Sequence, residues 1–321
     1  KGVINMNKLT KVGLTALAGT LVSVSANALD LSVTGGASIS FAGEEKQTTG
    51  NGWSMNNGVT FSASVEQDNG WNITATQVLN DDDVGSNRVF DTRTLKIDMG
   101  DSGTLTFAGT GGSTALSAID DVTPTAGEES WDDVTSASAI PAMGGGNNSF
   151  HYTNSSLMDG MTITAAYVPS DGTTEIESST DYAIKYTGVD GLTIGAGAGE
   201  DNGEGSGASV DHTNMYVTYA MDSFTVGYQT TESDSVTANA DKDFTAIGVS
   251  YAVSDDMSIS LNQSEIDYEN STLSDQEATG ISVSYTMGSL SIKANHNTVD
   301  NIAGTSTDDR SGYALTLGFT F

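Results

Sequence analysis

Apolar and polar residues alternate with period two along most of this chain. The pattern is strictest at the C-terminus, where Tyr313, Leu315, Leu317, Phe319 and Phe321 are separated by Ala314, Thr316, Gly318 and Thr320. That period predicts a strand with two unlike faces. The same alternation recurs around Leu290, Ile281, Met257, Ile247, Phe224, Met215, Leu192, Tyr182 and Met161. Upstream it returns around Phe150, Leu105, Leu95, Trp71, Val59 and Leu31, giving sixteen strands. No apolar run after residue 28 is long enough for a helical span, yet a strand facing lipid on one side keeps its mean hydropathy near neutral.

The connections alternate between two kinds. Asp68-Asn69-Gly70, Gly100-Asp101-Ser102-Gly103, Met158-Asp159-Gly160, Val189-Asp190-Gly191, Met221-Asp222-Ser223, Ser254-Asp255-Asp256 and Met287-Gly288-Ser289 are tight-turn sequences. Between them lie eight longer, acidic, Gly/Ser/Thr-rich connections. This segregation predicts an all-β, sixteen-stranded antiparallel transmembrane up-and-down barrel with short periplasmic turns and long extracellular loops. Charge placement agrees: Lys96, Lys185, Lys293, Glu66 and Asp98 all take the parity opposite to the apolar residues of their strands. A basic residue on the lipid face at mid-bilayer would cost about 2 to 4 kcal/mol. Arg93 breaks the rule by sharing the parity of Leu95 and Ile97, which places it at the loop-side rim or after a bulge. Trp71, Tyr186, Tyr219, Phe224, Tyr251 and Tyr285 adjoin the short turns, as an interfacial aromatic girdle does.

Two compositional facts change the picture. Met6 to Lys11 is a basic start, Val12 to Val24 is uncharged and apolar, and Ala26-Asn27-Ala28 offers a small-residue cleavage site. Residues 1–28 therefore read as an export signal, with 1–5 lying upstream of the natural start, and 29–321 as one barrel domain; the apolar run is short for a membrane anchor. Lys and Arg total 11 against 42 Asp and Glu, and three of the bases (Lys1, Lys8, Lys11) precede Leu29. Such acidity excludes nucleic acid as a partner and attracts cations, although solubility in a saline habitat would select for it too. With no cysteine, stability rests on the sheet.

Two segments carry a family resemblance: Gly312-Tyr313-Ala314-Leu315-Thr316-Leu317-Gly318-Phe319-Thr320-Phe321, and Gly100 to Thr106 leading into the longest loop. Through them the chain resembles the Gram-negative general porins, especially those of alphaproteobacteria. The resemblance implies a channel for passive diffusion of small hydrophilic solutes and ions, normally trimeric, set among outer-membrane lipid and lipopolysaccharide. It implies a third loop folded inward as a constriction, and a terminal aromatic strand (Tyr313, Leu315, Leu317, Phe319, Phe321) read by the barrel-assembly machinery. Here that loop runs from about Gly109 to Asn147 and carries Asp120, Asp121, Glu128, Glu129, Asp132 and Asp133, with no Lys or Arg. On the family pattern these acids face a basic wall, for which Lys96, Arg93, Lys46 and Arg88 are the candidates. The Pro-Glu-Phe-Gly signature of some members is absent, with Pro141-Ala142-Met143-Gly144-Gly145-Gly146 nearby instead.

An acidic ring in a narrow aqueous pore predicts weak cation preference, unless the acids are only a solvated face. Asp81-Asp82-Asp83 and Glu200-Asp201-Asn202 offer oxygens for calcium, but their spacing matches no defined calcium loop, and no cofactor is expected. His151, His212 and His296 lie on separate segments outside any triad motif, which argues against a barrel enzyme. An adhesin would need a repeat or passenger domain, and neither is visible. A substrate-selective channel of the same fold stays open, because loop side chains decide between the two.

Overall fold

The computed structural model describes residues 30–46, 50–80, 90–170, 177–202 and 209–321; the export signal, Arg88 and Asp81 to Asp83 lie outside them. The strands are β1 (Asp30–Glu44), β2 (Trp53–Glu66), β3 (Asn72–Asn80), β4 (Thr92–Asp98), β5 (Thr104–Thr110), β6 (Ser149–Asn154), β7 (Met161–Val168) and β8 (Ser179–Val189). They continue as β9 (Leu192–Asp201), β10 (Val210–Met221), β11 (Phe224–Ser235), β12 (Lys242–Ser254), β13 (Met257–Tyr268), β14 (Gln276–Met287), β15 (Leu290–Asp300) and β16 (Arg310–Thr320). Each pairs antiparallel with its sequence neighbour, and β1 closes on β16, so none of these strands is left as a sheet edge. Among the described residues no helix is long and apolar enough to cross a membrane; the strands do the crossing.

Alternation decides which side faces what. Ile247, Leu261 and Ile281 are 58 %, 52 % and 58 % exposed on the outer face, where hydrocarbon takes the place of a protein core. The chain's own apolar clusters lie inside instead, beneath the third long loop, L3 (111–148). Leu116, Ile119 and Met143 pack on Ala166, Ala183 and Tyr216; Val134 packs on Ala278, Val299 and Ile302; Trp131 and Ile140 pack on Phe244, Ala246 and Ile266. Phe244, Ile266 and Val299 thus take lumenal parity and are apolar because the loop covers them.

Wall height is uneven. β10, β11 and β12 hold 12, 12 and 13 residues, whereas β4, β5 and β6 hold 7, 7 and 6. A lipid-spanning strand needs about 9 to 11. At the loop end of this low sector the cross-strand pair Gln77 and Arg93 is polar on the outer face.

Candidate functional site

L3 leaves β5, turns inward and follows the inner wall from β8 round to β1. Lumen-facing polar side chains of β8, β10, β11 and β13 to β15 hold it. Asp181 accepts the Leu116 N–H at 2.7 Å, Asn214 donates to the Ile119 carbonyl at 2.5 Å, and Gln229 donates to the Asp120 carbonyl while accepting the Val122 N–H. Ser260 accepts the Ala126 N–H at 2.8 Å, and Asn297 donates to the Glu129 and Asp132 carbonyls at 2.7 and 2.8 Å. Gln276 exchanges two 2.8 Å bonds with the backbone of Ser138. Each neutral bond contributes about 1 kcal/mol net, so the series fixes the loop more firmly than any one contact. These amides and hydroxyls occupy the polar parity, where their sequence pattern marks them only as lumen-facing. The interruption of that parity by Phe244, Ile266 and Val299 is the available signal for the docking track.

Glycine completes the track where backbone meets backbone. A Cβ on Gly227 would collide with the Pro124 ring. Gly227→Val is therefore expected to push Pro124 and its neighbours off the wall into the passage and to lower single-channel conductance. Unchanged conductance in a normally folded variant would refute this seating of the loop.

Five of the six loop acids divide into two sets, with Asp120 beside Asp121. Glu128 pairs with Lys293 of β15 at 3.3 Å, and Asp133 accepts from Asn295 at 2.6 Å, so both face the wall that carries the loop. Asp121, Glu129 and Asp132 gather into one cluster, in which the Glu129 N–H donates to Asp132 at 3.1 Å. Burial, a hydrogen bond with Asp132 and the charges of Asp121 and Asp132 push the Glu129 carboxyl up to about 8. Burial, then the charge of Asp121, lifts Asp120 to about 6. Burial also raises Asp121, against a hydrogen bond from Glu129. Carboxylate oxygens of Glu128, Glu129 and Asp132 lie within 4.8 Å of one another, a spacing that suits a hard divalent cation.

The expected basic wall is thinner than its sequence candidates. Lys96 faces the uncovered lumen and, among the described residues, makes no ion pair. Arg93 does not join it: it pairs with Gln77 and Thr110 beside a register shift in β5, on the outer parity. Lys46 is spent at the rim, donating to the Asp309 carbonyl at 2.5 Å. The described cation nearest the loop acids is Lys293, on the same side as the loop. Glu200 and Asp201 cannot share a calcium ion as adjacent strand residues, since Glu200 points outward and Asp201 is buried inward. The histidines stay apart: His151 and His212 take lumenal parity on β6 and β10, while His296 faces outward between Ile281 and Tyr313.

A family model described as Gram-negative porin matches residues 13–321. The chain belongs to the Gram-negative porin family. This porin is an outer-membrane diffusion channel, and its barrel matches solved porins throughout. The anion-selective porin of Comamonas acidovorans superposes with a TM-score of 0.71 at 12 % identity, covering 92 % of this chain and all of the other. OmpT of Vibrio cholerae, an outer-membrane protein solved in a trimer form, gives 0.70 at 12 % identity over the same shares. A Rhodopseudomonas blastica porin triple mutant gives 0.68 at 14 % identity, covering 91 % and 100 %. Among curated proteins none matches this sequence. At these identities the neighbours share the fold, and one being anion-selective leaves the sign of the selectivity to each porin's own lumen.

Proposed function

We propose that this porin passes small hydrophilic solutes and ions by passive diffusion with a preference for cations, without cofactor, energy coupling or enzymatic chemistry. The observation carrying the preference is the cluster of Asp121, Glu129 and Asp132 on L3. Of the described basic residues on the inner wall, Lys293 is already paired with Glu128, and Lys96 lies on β4, away from the strands that carry the loop. In this reading L3 is the constriction and Lys96 the remaining basic wall. The porin works as a homotrimer, which the low β4–β6 wall and its polar outer row favour, since strands that short need protein rather than lipid beside them. Outer-membrane lipid and lipopolysaccharide cover the taller sectors, and the barrel-assembly machinery reads the terminal strand. There Phe321 exchanges two 2.9 Å backbone bonds with Gly35 at the closing seam.

The test is single-channel recording of the refolded porin in a planar bilayer under a potassium chloride gradient. Discrete conductance steps with a zero-current potential of cationic sign are expected. An anionic sign would overturn the preference, and a silent membrane with a correctly folded barrel would overturn the channel reading.

A further inference from the structure

The hydrogen-bond series along L3 ends on a different kind of contact. Its last anchor is a buried charge cluster at the seam where the barrel closes. Glu44 is the last residue of β1 and Arg310 the first of β16, neighbours across that seam, and both point inward. Their side chains are 4 % and 7 % exposed, and Arg310 Nη1 donates to Glu44 Oε1 at 2.6 Å. The other edge of the guanidinium forks onto Asp308 at 3.0 and 3.1 Å, so the cation is held between two carboxylates in a fixed plane. That plane orients Glu44, whose second oxygen accepts from the loop: the Thr135 hydroxyl at 2.6 Å and its N–H at 3.2 Å.

The loop segment held there is bent against its own preference. Asp133 and Ser136, on either side of Thr135, both adopt left-handed backbone at φ 59° and 69°, which residues with a side chain keep only when surroundings enforce it. Its backbone also presses on the seam: a Cβ on Gly312 would run into the Asp133 carbonyl oxygen. On the other side lies an open cavity of about 530 Å³, lined by Glu44, Asn51, Ser54, Asp133 and Thr135, between the segment and the β1–β2 wall. A released segment has strain to relieve and space to move into.

We propose that Glu44, Arg310 and Asp308 form an electrostatic latch that holds the far limb of L3 against the closing seam. They are positioning residues outside the acidic cluster, and they fix how widely the passage stands open under an applied voltage. This rests on L3 being the constriction. The measurement is the voltage at which half of the channels close, together with the zero-current potential, for the full-length porin in planar bilayers. Thr135→Val removes the hydroxyl bond to the latch without touching the seam, and Thr135→Ser restores it. Thr135→Val and Glu44→Gln are expected to lower the half-closing voltage by a third or more, with Thr135→Ser matching the parent and the zero-current potential unchanged in all three. A change of barrel melting temperature alone, with the half-closing voltage of Thr135→Val at the parent value, overturns the latch. If Glu44→Gln fails to fold, the Thr135 pair decides. A loss of the parent's own pore or cation preference would instead count against the constriction reading, so the two failures are distinguishable.

Discussion

Replacing Asp121, Glu129 and Asp132 together by their amides is expected to remove most of the cation preference while leaving the pore open. Amides keep the shape and a hydrogen-bonding oxygen, so in Asp132→Asn the side chain can still accept the backbone N–H of position 129 that closes the local turn. What is lost is charge. A single ionised carboxylate about 5 Å from an ion in water contributes about 0.8 kcal/mol, enough to enrich cations about fourfold over the bulk before screening. Three such groups on one side of a passage whose basic wall is thin account for the sign of the preference. The effect should be largest in dilute salt and should fade near 1 M, where the screening length drops to about 3 Å. The measurement belongs above about pH 8, where Glu129 carries its charge. A zero-current potential that the triple variant leaves intact would move the source to the wall acids Glu66 and Asp98. The complementary variant, Lys293→Met, strips Glu128 of its partner and should push the potential the other way.

Why the barrel was legible and the passage only half so follows from the range of the interactions involved. Strand faces repeat every two residues, so Tyr313 to Phe321, or Met257, Ile259 and Leu261, declare their orientation locally, and turn residues such as Gly70 and Gly288 mark the short rim. All sixteen strands follow from those two local rules. The site depends on where one loop settles. The partner of Glu128 is Lys293, 165 residues away, and no spacing rule connects them. A still longer distance hid the fate of Lys46, tied to Asp309, whereas the outward parity of Arg93 was plain and its pore-wall role came from family resemblance alone. A sharper signal was present in the inward positions of β12 to β15. Phe244, Ile266, Ala278 and Val299 should have been polar had water covered them, and their apolar character marks the path of L3. The roles of Asn214, Gln229 and Asn297 have no such mark, because an amide facing water and an amide clamping a loop look alike in sequence.

Acidification is expected to titrate the selectivity of this porin within the neutral range, in two steps. Glu129 is pushed up to about 8 and Asp120 to about 6, against usual values of 4.5 and 3.8, chiefly because L3 buries them and partly because other carboxylates stand beside them. Lowering the pH therefore removes one lumenal charge as it passes about 8 and a second near 6. The cation preference should fall across that window and flatten below about pH 5. For stability the sign is fixed by the same shifts. A carboxyl whose folded value is raised above its unfolded one favours the folded arrangement at low pH and loses that contribution as pH rises through the folded value. Docking of L3 is thus firmest in acid, weakens as the pH rises from about 4.5 to about 8, and is weakest once Glu129 has ionised beside Asp121 and Asp132. Open-channel noise should accordingly grow at alkaline pH while the cation preference is at its highest. Glu129→Gln should erase the upper step and quiet the alkaline noise, and Asp120→Asn should erase the lower step alone. A zero-current potential that stays flat from about pH 5 to 9 would mean that the cluster is solvated like any surface carboxylates, and that the field in the passage comes from elsewhere on the wall.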